Sequence, residues 1–159
     1  MQEDQLVARL SFRSAHTQDF DYCENLYFTA MERTIRELNL DMAKHAANFR
    51  QQLKLTEVRI ITLDEADIGW LQTRTEAGAL FLAQLFVDAP FQRRGIGSEV
   101  MKRIIGEAGN AGQCVTLGVV KTNPALQLYQ GLGFQITHED GRKYYMRREA
   151  MVDSMLDPK

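Results

Sequence analysis

The chain has 159 residues, 45% of them hydrophobic and 25% charged, with 19 Lys+Arg against 21 Asp+Glu and a formal net charge of −2. That length suits one domain, and the balance is that of a globular chain with a core rather than a disordered one. The near-neutral charge excludes the cationic field that recruits nucleic acid or an anionic membrane, and no run approaches the ~18 consecutive apolar residues of a bilayer span.

The N-terminus, Met1-Gln2-Glu3-Asp4, lacks the basic region and apolar run of a signal peptide, so the expected location is cytoplasmic. Leu6, Ala8, Leu10 and Phe12 alternate, which predicts a first strand over 6–14. Thr17 and Asp19 are candidate N-caps for a helix over 20–38, where Leu26, Tyr27, Ala30, Met31, Ile35 and Leu38 recur at helical spacing. A second helix over 41–53 carries Met42, Ala46, Phe49 and Leu53 on one stripe. Val58–Leu63 and Ile68–Thr75 read as a hairpin around the turn-like Asp64-Glu65-Ala66-Asp67. Gly78 marks the next turn. Leu80–Val87 is almost continuously apolar, which predicts a central strand covered on both faces.

Beyond Pro90, Gly95 and Gly97 lead into a helix with Val100, Met101, Ile104, Ile105 and Ala108 on its apolar stripe, closed by Gly109 and Gly112. Val115–Val120 is a short buried strand. Asn123-Pro124 opens another helix, since Asn is a favoured N-cap and Pro suits the first helical position, and Gly131 and Gly133 close it. Phe134–Thr137 and Tyr144–Arg147 form a last hairpin around Asp140-Gly141. The order β-α-α-β-β-β-α-β-α-β-β predicts one α/β domain over 1–150 and a loose tail over 151–159. Cys23 and Cys114 lie far apart and read as reduced, partly buried thiols. His16, His45 and His138 form no ligand pair, so no metal is expected, and Arg142, Lys143, Arg147 and Arg148 read as a solvated strand face.

The informative stretch is Val87-Asp88-Ala89-Pro90-Phe91-Gln92-Arg93-Arg94-Gly95-Ile96-Gly97-Ser98. A strand ends, a loop carries two glycines, and an amphipathic helix begins. Glycine tolerates positive φ and leaves no Cβ in the way, so such a loop can turn its N–H groups inward. The first helical turn adds unpaired N–H donors and the positive end of the dipole, which together cradle phosphate. Arg93 and Arg94 add positive charge beside it. A tight turn that binds nothing is the alternative. No Gly-Lys-Ser/Thr follows, so a P-loop is unsupported, and Val100 breaks the Gly-x-Gly-x-x-Gly of a dinucleotide fingerprint.

One strand and one helix downstream stands Asn123-Pro124-Ala125-Leu126-Gln127-Leu128-Tyr129-Gln130-Gly131-Leu132-Gly133-Phe134. With this second element the chain resembles the GNAT acetyltransferase superfamily over residues 79–147. Gln92-Arg93-Arg94-Gly95-Ile96-Gly97 resembles its pyrophosphate-binding Gln/Arg-x-x-Gly-x-Gly/Ala motif, and the Asn-Pro-Ala, Leu-Tyr and Gly-Phe run resembles its second signature. The resemblance implies a single-domain GNAT fold, a mixed central β-sheet flanked by helices, and acetyl-CoA as co-substrate without metal.

By the same resemblance, Gln92, Arg93, Arg94, Gly95, Ile96, Gly97 and Ser98 would hold the pyrophosphate. The main chain of Leu85, Phe86 and Val87 would pair with the pantetheine arm, and the Val87 N–H would polarise the thioester carbonyl. Asn123 would contact the CoA arm besides capping its helix, and Tyr129 would protonate the departing thiolate. From the residues alone, Tyr129 also fits a core role, on the stripe of Ala125, Leu128 and Leu132. The implied reaction is acetyl transfer to an amine by direct attack, with small molecules favoured over peptides as acceptors and a homodimer left open. A GNAT fold that holds acyl-CoA as a sensor without turnover is the alternative, because no general base stands out: Leu80–Ala83 is apolar and Gln84 cannot serve. A water chain, Glu24 or Glu32 could fill that role. Tyr27, Arg33, Trp70 and Gln72 are candidates for the acceptor pocket, each equally open to a structural reading.

Overall fold

Strand alternation and turn chemistry produce, in a computed structural model that describes residues 8–150, a sheet of seven strands among those residues in the order β1-β2-β3-β4-β5-β7-β6. The strands are β1 Leu10–Ser14, β2 Val58–Leu63, β3 Ala66–Glu76, β4 Ala79–Val87, β5 Val115–Val120, β6 Gln135–Glu139 and β7 Lys143–Arg148. Four helices accompany them: α1 Phe20–Glu37, α2 Met42–Gln52, α3 Ile96–Asn110 and α4 Ala125–Gly131. β4 pairs parallel with β5, while β1–β2, β2–β3, β5–β7 and β6–β7 are antiparallel, so the sheet is mixed as expected. The expected tail, 151–159, lies outside the described residues. The chain gathers into two compact units, one taking in the described residues through Gln72 plus Gln84–Arg93, the other Thr73–Ala83 plus the described residues from Arg94 on.

In the first unit, α1 and α2 bury Cys23, Leu26, Tyr27 and Phe49 against Val58, Ile60 and Trp70. Asp41 caps α2 by accepting from the Ala43 and Lys44 N–H groups at 2.9 and 3.2 Å. The β2–β3 turn is tighter than the four residues expected: Asp64 and Glu65 alone make it, both at positive φ (52° and 71°). β1 starts at Leu10, whereas alternation predicts a start at residue 6. Leu6 lies outside the described residues, and Ala8 and Arg9 have helical backbone. The reason is the partner: β2 turns away after Leu63, which stands opposite Leu10.

Asp19 also departs from a simple cap. It occupies the N-cap of α1 but its carboxylate bonds no amide of that helix. Arg13 takes it instead, bidentate at 3.0 and 2.9 Å, and the His16 N–H donates to it at 2.8 Å. A two-pronged guanidinium outcompetes a single amide. The same Arg13 reaches Asp67 on β3 at 3.0 Å, so one side chain ties β1, the head of α1 and β3. Thr17 sits in a single 3₁₀ turn with Asp19.

In the second unit, α3 buries Ile96, Val100, Met101, Ile104 and Ala108 on one stripe, and it packs on β5. Gly112, at φ 69°, lets the Gln113 N–H turn back to the Ala108 carbonyl and stop the helix. Asp140 closes the β6–β7 hairpin by accepting from the Arg142 and Lys143 N–H groups. β4 differs from its prediction. Its run is apolar, yet only Ala79 and Leu82 are buried and the rest are half-buried. Continuous hydrophobicity there does not mean cover on both faces.

Hydrogen bonds from Arg13 hold the Asp19 carboxyl below the ordinary carboxylate range. A depressed folded value means that the stabilisation is complete above the unfolded value of about 3.9 and is lost as pH falls through the folded one. Asp19→Asn should cost about 1–3 kcal/mol at neutral pH and flatten the acid limb of the stability curve, read by urea unfolding from pH 7 to pH 3.

Candidate active site

The loop after β4 is built by local bonds. Asp88 accepts from the Ala89 N–H at 3.1 Å and starts one 3₁₀ turn, Ala89–Phe91. Gln92 reaches back, its Nε2 donating to the Val87 carbonyl at 2.8 Å. Arg93 and Gly95 both take left-handed backbone, φ 62° and 82°. Gly95 is the N-cap of α3; having no side chain to cap with, it leaves the first-turn donors at Ile96, Gly97 and Ser98 without a side-chain partner. A Cβ added at Gly97 would meet nothing within 4 Å, so the space before this helix end is open. The sequence marks Gly95 and Gly97 for these roles. It gives no sign of the left-handed Arg93, since residue type does not announce that conformation.

The end of β4 is shaped from β3. Ile61 pairs with Gly69 but Thr62 pairs with Asp67, which makes Ile68 an extra residue on β3, a bulge. The Ile68 carbonyl accepts from the Asp88 N–H at 2.8 Å. At Gly69 the chains come so close that an added Cβ would stand 2.3 Å from the Phe86 carbonyl oxygen. Phe86 and Asp88 thus turn backbone groups toward β3. Successive strand residues face opposite edges, so the Val87 N–H and carbonyl face the other one, and there the carbonyl takes the Gln92 amide. The β5 ladder covers only Leu80–Leu82, leaving Leu85, Phe86 and Val87 beyond it.

Asn123 Oδ1 accepts from the Ala125 N–H at 2.8 Å, the cap expected at α4, with the helix starting one residue after Pro124. Tyr129 is half-buried, its ring tilted against Phe134 at 5.9 Å. Burial raises its pKa, so the phenol keeps its proton at neutral pH.

A cavity of about 100 Å³ lies wholly within the first unit. The carboxamides of Asn48, Gln52, Gln72 and Gln84 line it, and Tyr27, Phe49, Leu53 and His45 complete it. Of the sequence-predicted pocket residues, Tyr27 and Gln72 are there. Trp70 is not: it is fully buried, 5.3 Å from the Phe86 ring. Arg33 is exposed and paired with Glu37. Glu24 is held by Arg50 and Glu32 by Arg36, and neither lines the cavity. His45 reads in the sequence only as a scattered histidine because its partner, the Tyr27 hydroxyl at 2.6 Å, sits on a different helix. Among the described residues no group of three or more His, Cys, Asp or Glu could hold a metal, and no helix is long and apolar enough to cross a membrane.

Residues 55–136, just over half of the chain, match the family described as the acetyltransferase (GNAT) domain. The chain belongs to the GNAT acetyltransferase family. No curated protein matches it. Solved structures agree on the fold. An acetyltransferase from Thermus thermophilus superposes with a TM-score of 0.69 at 19% identity, covering 91% of this chain and 99% of its own. The PaiA N-acetyltransferase from Thermoplasma acidophilum, in complex with coenzyme A, gives 0.63 at 14% identity, covering 88% and 98%. The ribosomal-protein-S18-alanine N-acetyltransferase from Escherichia coli gives 0.64 at 18%, covering 90% and 96%.

The two glycines of this GNAT chain should respond oppositely to a methyl group. Gly69→Ala drives Cβ into a backbone carbonyl and should cost about 1–3 kcal/mol. Gly97→Ala meets open space in the first turn of a helix and should leave the urea midpoint unchanged or slightly raised.

Proposed function

We propose that this GNAT chain binds acetyl-CoA and transfers the acetyl group to a primary amine by direct attack on the thioester. The observation that carries this reading is the end of β4. Its Val87 N–H faces the edge away from β3, past the end of the β5 ladder, and the open, uncapped head of α3 follows within the same loop. A linear ligand with an amide-bearing arm and a pyrophosphate has matching partners in that order along the chain. The coenzyme A in the Thermoplasma acidophilum structure supports the assignment.

The residues present suit such a ligand. The N–H groups of Gly95, Ile96, Gly97 and Ser98 would receive the pyrophosphate at the positive end of the α3 dipole, with Gln92, Arg93 and Arg94 contributing to the cradle. Gln92 also stiffens it by holding the Val87 carbonyl. Main-chain groups of Leu85, Phe86 and Val87 would bond the pantetheine arm as an added strand would. The Val87 N–H would stabilise the charge that develops on the thioester oxygen. Asn123 spends Oδ1 on its cap and keeps its amide N–H groups for the CoA arm.

Tyr129, kept protonated by burial, would give its proton to the sulfur as the carbon–sulfur bond breaks. The cysteines do not suit an acyl-enzyme route. Both are buried, and burial pushes the Cys23 thiol up to about 12, so it carries almost no thiolate at neutral pH. The domain over 1–150 would act as one catalytic unit.

Tyr129→Phe should lower acceptor-dependent thiol release by about 100-fold or more while the Kd for acetyl-CoA stays within about twofold. Intact-mass spectra after incubation with acetyl-CoA alone should show no acetylated protein. Equal loss of turnover and affinity in the variant would assign Tyr129 to packing instead.

A further inference from the structure

The cavity of the first unit has a chemical character that narrows the acceptor. Its volume of about 100 Å³ is below the ~150 Å³ that accommodates benzene, so it admits a body of a few heavy atoms. No carboxylate lines it. Glu57, the nearest acid by bonding, is already engaged with Gln72: the Gln72 Nε2 donates to Glu57 Oε1 at 2.8 Å and to the Gln52 carbonyl at 3.4 Å. These bonds fix the buried Gln72 amide, and Oε1 has no partner among the described residues. The side chains of Asn48, Gln52 and Gln84 add further amide donors and acceptors. Such a wall pairs neutral polar groups, and a second cation would find no carboxylate among the lining side chains.

The same cavity holds a hydrogen-bonded pair that joins α1 to α2. Tyr27 Oη and His45 Nε2 are 2.6 Å apart, and the Tyr27 ring stands edge-on to Phe86, the neighbour of Val87, at 5.4 Å between centroids. Burial raises the Tyr27 pKa, so the phenol keeps its proton, and with the ring proton on Nδ1 the His45 Nε2 would accept it.

We propose that this cavity receives a primary amine on a compact, uncharged, hydrogen-bonding body, and that Tyr27 takes the ammonium proton while passing its own to His45. This rests on the acetyl-transfer reading above. The balance is simple. An ammonium and a thioester give an amide, a thiol and one free proton. The free proton leaves nitrogen to Tyr27 Oη as the phenol proton moves to His45 Nε2, and the half-exposed imidazole returns it to solvent. The nitrogen lone pair then forms the N–C bond and the C–S bond breaks. The second nitrogen proton, shed on collapse, balances the one that the departing sulfur takes up. Tyr27 touches the amine and is catalytic; His45 acts through it.

The test is thiol release from acetyl-CoA at pH 7 with four probe amines: glycinamide, ethanolamine, spermidine and kanamycin. The first two should exceed the last two in kcat/KM by about 10-fold or more. Tyr27→Phe and His45→Gln should lower kcat for the preferred amine by about 100-fold with KM and the acetyl-CoA Kd little changed. Acetohydrazide, whose nitrogen is already neutral at pH 7, should be acetylated equally by wild type and both variants. Preference for the polycations, or no turnover of any probe by protein that binds acetyl-CoA, overturns the acceptor class. An equal loss with amine and hydrazide overturns the proton route. Failure to bind acetyl-CoA would instead remove the acetyl-transfer reading on which both stand.

Discussion

Two strands approach so closely at Gly69 that the Phe86 carbonyl occupies the space of a missing side chain. The bulge at Ile68 brings this about by adding one residue to β3, and the Ile68 carbonyl then holds Asp88. These contacts set which edge each backbone group at the end of β4 faces. Val87 ends with its carbonyl on Gln92 and its N–H on the edge away from β3. The role proposed for the Val87 N–H depends on this arrangement, because a donor fixed in advance need not reorganise as negative charge develops. The Gln92 bond carries the same constraint into the loop that opens α3.

Burial is the largest influence on the protonation states, with charged neighbours adding to it at Cys23. Desolvation raises the pKa values of Tyr27, Tyr129 and Cys23 alike, because each ionises to an anion that low dielectric disfavours. The consequences differ with position. At Cys23 a retained proton removes a nucleophile, while at Tyr129 and Tyr27 it is the proton on which the two proposed transfers depend. Glu24, Glu32 and Glu37 of α1 are engaged with arginines and no carboxylate lines the cavity, which leaves the His45 imidazole as the base candidate there.

The sequence announced what depends on local chemistry. The stripe of α3, the glycines before it, the Asn123 cap and the hairpin turns are all set by residues within a few positions of one another, and they appear where expected. What it concealed depends on partners far along the chain. β1 begins at Leu10 because β2 ends at Leu63; Asp19 leaves its helix for Arg13; apolar β4 stays half-buried. Gly69 did carry a signal, since a lone glycine within a strand marks a bulge or a close backbone approach. Tyr27 and His45 meet only once two helices pack, so neither spacing nor composition pairs them.

The proposed acetyl-CoA site stands or falls with the loop from Gln92 to Ser98 as its phosphate cradle. Titration calorimetry of acetyl-CoA into wild type and Gly97→Glu tests it most directly, because a Cβ at Gly97 meets nothing within 4 Å and the substitution puts a carboxylate in the first turn of the helix. The account predicts saturable binding by the wild type and its loss in a variant of unchanged Tm. Undiminished affinity in the variant, or no binding by folded wild-type protein, would contradict it.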